Sequence, residues 1–216
     1  MIIGISFNEV GTEKGILFND LKGDFPEEDT SIQVSETNAK GKTILKDYYY
    51  SKNGSYMDDD GWYNDGWDYI GDTEYLKWGQ GAWLLTSEPV DVTTAGEVKK
   101  GHKIHTFTDP KTLVAGYYPV PFCPNSKNVT WTGMTGEDES IQVFRTNAKG
   151  KTILEDYYYS LDGSMMDDDG WYTSGWDLLA EDDAIAGVGE GFWFIPGNFE
   201  TAAITEVSPL GDDEAK

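Results

Sequence analysis

Two stretches of the chain concentrate the residues best suited to chemistry. They are Met57-Asp58-Asp59-Asp60-Gly61-Trp62-Tyr63 and Met166-Asp167-Asp168-Asp169-Gly170-Trp171-Tyr172, followed by Gly66-Trp67-Asp68 and Gly175-Trp176-Asp177. Calcium takes roughly six to eight oxygen ligands from a loop that can bend. Asp58, Asp60 and Asp68 in one stretch, and Asp167, Asp169 and Asp177 in the other, are therefore candidate metal ligands, with Gly61 and Gly170 permitting the bend. An EF-hand-like loop would also want an acid at position 56 or 165, which hold Tyr and Met, and its closing Glu is missing. The competing reading is a solvated acidic loop whose Gly and Trp are structural.

The same stretches place Trp62, Trp67, Trp171 and Trp176 beside carboxylates. An indole face stacks on a pyranose while acids bond its hydroxyls, so a carbohydrate-binding surface is one expectation. The other is that these rings anchor a small core, where a large ring with one polar N–H at the boundary is common. Glycoside hydrolysis needs two carboxyl groups with divergent pKa values, and nothing in the spacing singles out such a pair, so no enzyme is expected. Lys40-Gly41-Lys42 and Lys149-Gly150-Lys151 are islands of positive charge in an acidic chain. They are either solvated turns or docking points for the acidic loop of a neighbouring copy.

The remaining candidates are weaker. His102 and His105 fall on opposite faces of an extended segment and have no counterpart elsewhere. Cys123, the single cysteine, lacks a His–Asp context and reads as a small buried residue; alone it supports neither an intrachain disulfide nor a Cys-based zinc site. Asn53-Gly54-Ser55 and Asn128-Val129-Thr130 fit the glycosylation sequon, but Met1 to Phe7 lacks the charged and apolar regions of a signal peptide.

These motifs recur because the chain repeats itself. Shifted by 109 positions, residues 31–68 lie on residues 140–177 and differ at only eight of 38 positions: 35, 36, 46, 52, 53, 56, 64 and 65. One inserted residue later Gly79-Gln80-Gly81-Ala82-Trp83 matches Gly189-Glu190-Gly191-Phe192-Trp193, and Glu97-Val98 matches Glu206-Val207 at the original offset. A period of this length is a whole small domain, so a tandem duplication is expected, with domains at 1–99 and 100–210 and an acidic tail at 211–216. Upstream of the strong match, Ile16-Leu17-Phe18 aligns loosely with Val129-Thr130-Trp131.

Within each copy the pattern is that of strands. Ser31 to Thr37 alternates around Ile32 and Val34, Asn38 to Gly41 supplies turn residues, and Lys42 to Ser51 is β-branched and aromatic, which predicts a hairpin. Tyr48 and Tyr50 then share one face of the strand, and Tyr49 the other. Asn53-Gly54 and Asp162-Gly163 predict tight reversals immediately afterwards. Further strands are expected at 82–86, 90–94, 192–195 and 202–205, and no segment holds a helical period beyond single turns at 16–21 and 183–186. The expected class is all-β, as two tandem homologous β-sandwich or small-barrel domains.

Charge narrows the partners. The 16 Lys and Arg against 39 Asp and Glu leave a formal net charge of −23, which repels a polyanion and argues against nucleic acid. No apolar run approaches the roughly 20 residues that a membrane-spanning helix requires. Ser140 to Tyr159, Gly170-Trp171-Tyr172 and Gly189 to Phe194 together resemble a recurring tandem β-domain of uncharacterised bacterial surface proteins and phage-encoded structural proteins. The resemblance implies a structural, self-assembling protein in a virion head or tail, with other structural subunits or copies of itself as partners. The bacterial surface is the alternative location. The second functional reading is a carbohydrate-binding module supported by calcium.

Overall fold

A computed structural model describes residues 1–27, 29–38, 40, 42–107, 109–147, 149, 151–197 and 202–211. Of the acidic tail only Gly211 is among them, and Gly41 and Gly150 of the two lysine turns lie outside them. The first half contributes β1 (Ile2–Gly4), β2 (Ile16–Leu17), β3 (Lys22–Gly23), β4 (Ser31–Thr37) and β5 (Thr43–Ser51). It continues with β6 (Gly61–Asn64), β7 (Tyr75–Leu76), β8 (Gly81–Leu85) and β9 (Val92–Thr93). The second half contributes β10 (His102–Phe107), β11 (Thr112–Ala115), β12 (Val129–Thr132) and β13 (Glu139–Thr146). It ends with β14 (Thr152–Ser160), β15 (Gly170–Thr173), β16 (Gly191–Pro196) and β17 (Ala202–Val207). The one helical segment among the described residues is a 3-10 turn at Phe18–Asp20.

The protein is all-β, and among the described residues none of its sheets closes, so the small-barrel alternative gives way to open, layered sheets. Each half holds one five-stranded antiparallel sheet, in the order β1-β8-β4-β5-β6 or β11-β16-β13-β14-β15. Their registers repeat: Ser31 faces Tyr49 as Ser140 faces Tyr158, and Ser51 faces Gly61 as Ser160 faces Gly170. Alternation then fixes the faces. Ile32, Val34, Tyr48, Trp62, Ala82 and Leu84 bury into one core, and Ile141, Val143, Trp171, Phe192 and Phe194 into the other.

The layers that cover these sheets differ. In the second half a three-stranded sheet, β10-β17-β12, lays Phe107, Ile204 and Trp131 over the core. In the first half two short pairs, β2–β7 and β3–β9, do the same with Ile16, Leu76 and Val92. The loose alignment of Ile16 with Val129 is corrected here. Ile16 pairs with Leu76 as Phe122 pairs with Ala186, and Leu76 and Ala186 are counterparts, so Phe122 takes the place of Ile16. The loops differ in length at this point and the plain sequence alignment slips.

The halves meet across a reciprocal contact. Ile3 bridges Glu190, and Val114 bridges Gln80; Ile3 and Val114 hold the same register position in their sheets, as do Glu190 and Gln80. Likewise the Gly4 N–H donates to the Gly189 carbonyl at 2.7 Å and the Ala115 N–H to the Gly79 carbonyl at 2.9 Å. Each half thus offers the other the same surface, the signature of a two-fold relation. Ile2 with Leu113 and Trp83 with Trp193 form a shared apolar cluster on it.

Candidate functional site

The acidic stretches fold as braced loops. After β5 the chain turns at Asn53 (φ 53°) and Gly54 (φ 76°), and after β14 at Asp162 (φ 52°) and Gly163 (φ 75°), the mirror-image turn that these dipeptides favour. The buried Ser51 hydroxyl donates to the Met57 carbonyl at 2.9 Å and accepts from the Met57 N–H at 2.9 Å. Ser160 does the same with Met166. An Asp60 carboxylate oxygen accepts the Asn53 N–H at 2.7 Å, and Asp169 accepts that of Asp162 at 2.7 Å. The Tyr63 and Tyr172 hydroxyls donate to the Asp59 and Asp168 carbonyls at 3.0 and 2.8 Å.

The proposed ligands do not converge. Asp58 and Asp167 are exposed, Asp60 and Asp169 hold the turn, and Asp68 and Asp177 lie in the next loop. There the Asp68 N–H donates to the Asn64 side-chain oxygen at 2.9 Å and the Asp177 N–H to the Thr173 hydroxyl at 3.3 Å. Among the described residues no three His, Cys, Asp or Glu side chains come together as a metal site. One oxygen of Asp60 and one of Asp169 already accept a backbone N–H, which sequence spacing alone does not register.

The four tryptophans separate into two kinds. Trp62 and Trp171 are 1% and 0% exposed and present no ring to a ligand. Trp62 packs against Phe18, Phe25 and Tyr50, and Trp171 against Trp131 and Tyr159. Trp67 and Trp176 are 43% and 46% exposed and stack on the outward Tyr49 and Tyr158, with centroids 5.5 and 5.7 Å apart. Both sit at left-handed backbone, φ 64° and 66°, where a bulky side chain costs about 1–2 kcal/mol. In the first copy Tyr56 adds a third ring, 5.8 Å from Trp67; its counterpart is Met165. Two exposed aromatic ledges result, one per half.

At the other end of each long hairpin, Lys40, Lys42, Lys149 and Lys151 are exposed. The Asn38 side-chain oxygen accepts the Lys40 and Lys42 N–H groups at 2.9 and 3.1 Å, and Asn147 accepts those of Lys149 and Lys151 at the same distances. Ile44, Leu45, Ile153 and Leu154 stand exposed beside them. Of the histidines, His102 is exposed and His105 turns inward, its ring stacked on Phe107 at 4.4 Å. Cys123 is half-buried rather than buried, because it stands on the wall of a surface cleft.

One ionisable group escaped the motif reading. Glu206 points from β17 into the protein in line with Ala202 and Ile204 and is 6% exposed. Its carboxylate accepts the Tyr117 N–H at 3.1 and 3.2 Å, and burial pushes it up to about 8. Burial also holds His105 down to about 4 and pushes the Tyr117 hydroxyl well above its usual value, with the Glu206 charge adding to the latter. The alternation of β17 was the one available signal, since it places an acid in a row of core positions. No family model, curated protein or solved structure matches the chain.

Proposed function

We propose that the chain is a non-catalytic structural protein that assembles with copies of itself as part of a virion. The observation that carries this reading is the reciprocal packing of the two halves. It presents each exposed feature twice, namely the ledges at Trp67 and Trp176 and the lysine tips with Ile44, Leu45, Ile153 and Leu154. A chain with paired surfaces can bridge two neighbours, whereas one catalytic centre gains nothing from the pairing. The burial of Trp62 and Trp171 supports the same reading, because one of the two tryptophans of each acidic stretch is spent on the core.

Sedimentation velocity and electron microscopy of the full chain test it. Rings, tubes or lattices are expected, and association should strengthen with added salt or magnesium as the repulsion of −23 charges is screened. A monomer at every concentration and ionic strength would overturn the assembly reading. Association that grows as salt is withdrawn would overturn the electrostatic account.

A second reading, a carbohydrate-binding module, is favoured by Trp67 and Trp176 alone, whose half-exposed rings lie on strained backbone. Neutral polysaccharides titrated against tryptophan fluorescence, with and without calcium, discriminate the two. Saturable quenching lost in the Trp67→Gly/Trp176→Gly double variant would replace the structural reading with this one.

A further inference from the structure

The duplication allows the same carboxyl group to be compared in two settings. Glu97 and Glu206 are counterparts, in Glu97-Val98-Lys99 and Glu206-Val207-Ser208. Glu97 is paired with the Lys99 ammonium at 2.7 Å and accepts the Gly11 N–H at 2.8 Å; both contacts hold it below the usual carboxylate range. In the second copy the lysine is replaced by Ser208, whose hydroxyl donates instead to the Lys99 carbonyl at 3.0 Å. Glu206 keeps a backbone N–H, that of Tyr117, but no cation among the described residues pairs with it.

Glu206 also lines a cleft of about 210 Å³, walled by Tyr118, Phe122, Cys123, Val129 and Pro209. Several charged and titratable groups stand around it, among them the Tyr117 hydroxyl, which burial and then the Glu206 charge push up. Lys103, opposite Glu206 on β10, is paired with Glu13 at 2.5 Å and lies over the Trp78 ring. His105, further along β10, stacks on Phe107. The facing residue on β12 is the apolar Val129. The Tyr118 hydroxyl donates to the Gly101 carbonyl at 3.0 Å, and the Cys123 thiol is held up by burial. A nine-tenths-buried carboxyl group without a cation among the described residues thus lines a largely apolar cleft, whereas its more exposed twin holds an ammonium.

We propose that the cleft beside Glu206 is a binding site for a small primary amine with an apolar body. The ammonium plays for Glu206 the part that Lys99 plays for Glu97, and the hydrocarbon part covers Phe122 and Val129. Burial raises the Glu206 carboxyl group to about 8, and an ammonium held against it gives the ionised form a charged partner inside the cleft.

The test is calorimetric titration of the full chain with n-butylamine, with n-butanol and butyrate as size-matched controls. Burial raises Glu206 to about 8, so binding of the ammonium form at pH 7 should release protons, read as a dependence of the heat on buffer ionisation. The Glu206→Gln variant, which keeps an acceptor for the Tyr117 N–H, should bind about tenfold more weakly or worse, whereas Glu97→Gln should bind unchanged. The proton release is measured on the wild-type chain and keeps the test decisive even if Glu206→Gln folds poorly. Absence of saturable binding, equal binding of n-butanol, or binding without proton release would each overturn the proposal. So would equal affinity in a folded Glu206→Gln chain, which would mark general attraction of a cation to an acidic surface.

Discussion

Trp62 and Trp67 are five positions apart, yet one fills the core and the other lies on the surface. Replacing Trp62 by Ala removes a ring packed among Phe18, Phe25 and Tyr50 and should cost about 3–5 kcal/mol in chemical denaturation. Trp67→Gly forfeits a stack on Tyr49 worth about 0.5–1.5 kcal/mol but relieves the left-handed strain, so its melting temperature should stay within a few degrees of the wild type. A severe loss in Trp67→Gly would mean that the ledge is part of the fold's support. The acids divide in the same way. Asp60→Ala removes the acceptor of the Asn53 N–H and should cost about 1 kcal/mol, while Asp58→Ala, at an exposed side chain, should change stability by less than about 0.5 kcal/mol. Equal effects from the two would refute the brace.

Strands carry a different kind of information. Ser31 to Ser51 fixed its own hairpin because Asn38 to Gly41 can only be a turn and because alternation sends Tyr48 and Tyr50 inward and Tyr49 outward. The repeat then transfers that register intact to Ser140–Ser160. The edge strands β1 and β11 were not legible, since Ile2-Ile3-Gly4 and Leu113-Val114-Ala115 share only apolar character, which is all an edge position demands. Nor was the contact between the halves, because Gly81 and Gly191 stand just ahead of the strands expected at 82–86 and 192–195 and nothing in the sequence marks that each leaves room for the other half's chain. A Cβ at Gly81 would lie 2.6 Å from the Val114 carbonyl oxygen, and one at Gly191 2.6 Å from Cγ2 of Ile2 and 2.9 Å from the Ile3 carbonyl oxygen. Gly191→Val should therefore loosen the docking at a cost of about 3 kcal/mol or more and split one calorimetric transition into two. A single transition at the wild-type temperature would contradict that packing. Glu206 was hidden for a related reason: its environment is set by Tyr117, distant in sequence.

For the molecule as a whole, two buried groups set opposing responses to pH. His105, held down to about 4, contributes stability that is present above its ordinary value of 6.5 and lost as pH falls through about 4. Glu206, raised from 4.5 to about 8, works the other way: its contribution is full below 4.5 and lost as pH rises towards about 8. Between the two ordinary values the slopes oppose, and from pH 6.5 to about 8 the slope of Glu206 is opposed by that of the Met1 amino group, which burial holds below its ordinary 8.0. Measured against Glu206→Gln, which keeps the Met1 contribution, unfolding free energy from urea titrations should fall across this window by about 1–2 kcal/mol. Parallel profiles for the two proteins would refute it. The reciprocal contact between the halves has a consequence of another kind. A dimer of separate chains comes apart on dilution, but here the two partners are joined through the segment around Lys99-Lys100-Gly101, at an effective concentration on the order of millimolar. An interface too weak to hold free subunits together at micromolar concentration is therefore nearly saturated in the single chain, and it persists however far the protein is diluted. Tethering also removes the requirement that the partners be identical, which leaves each half free to change alone at positions such as Ser35 against Phe144 and Lys99 against Ser208.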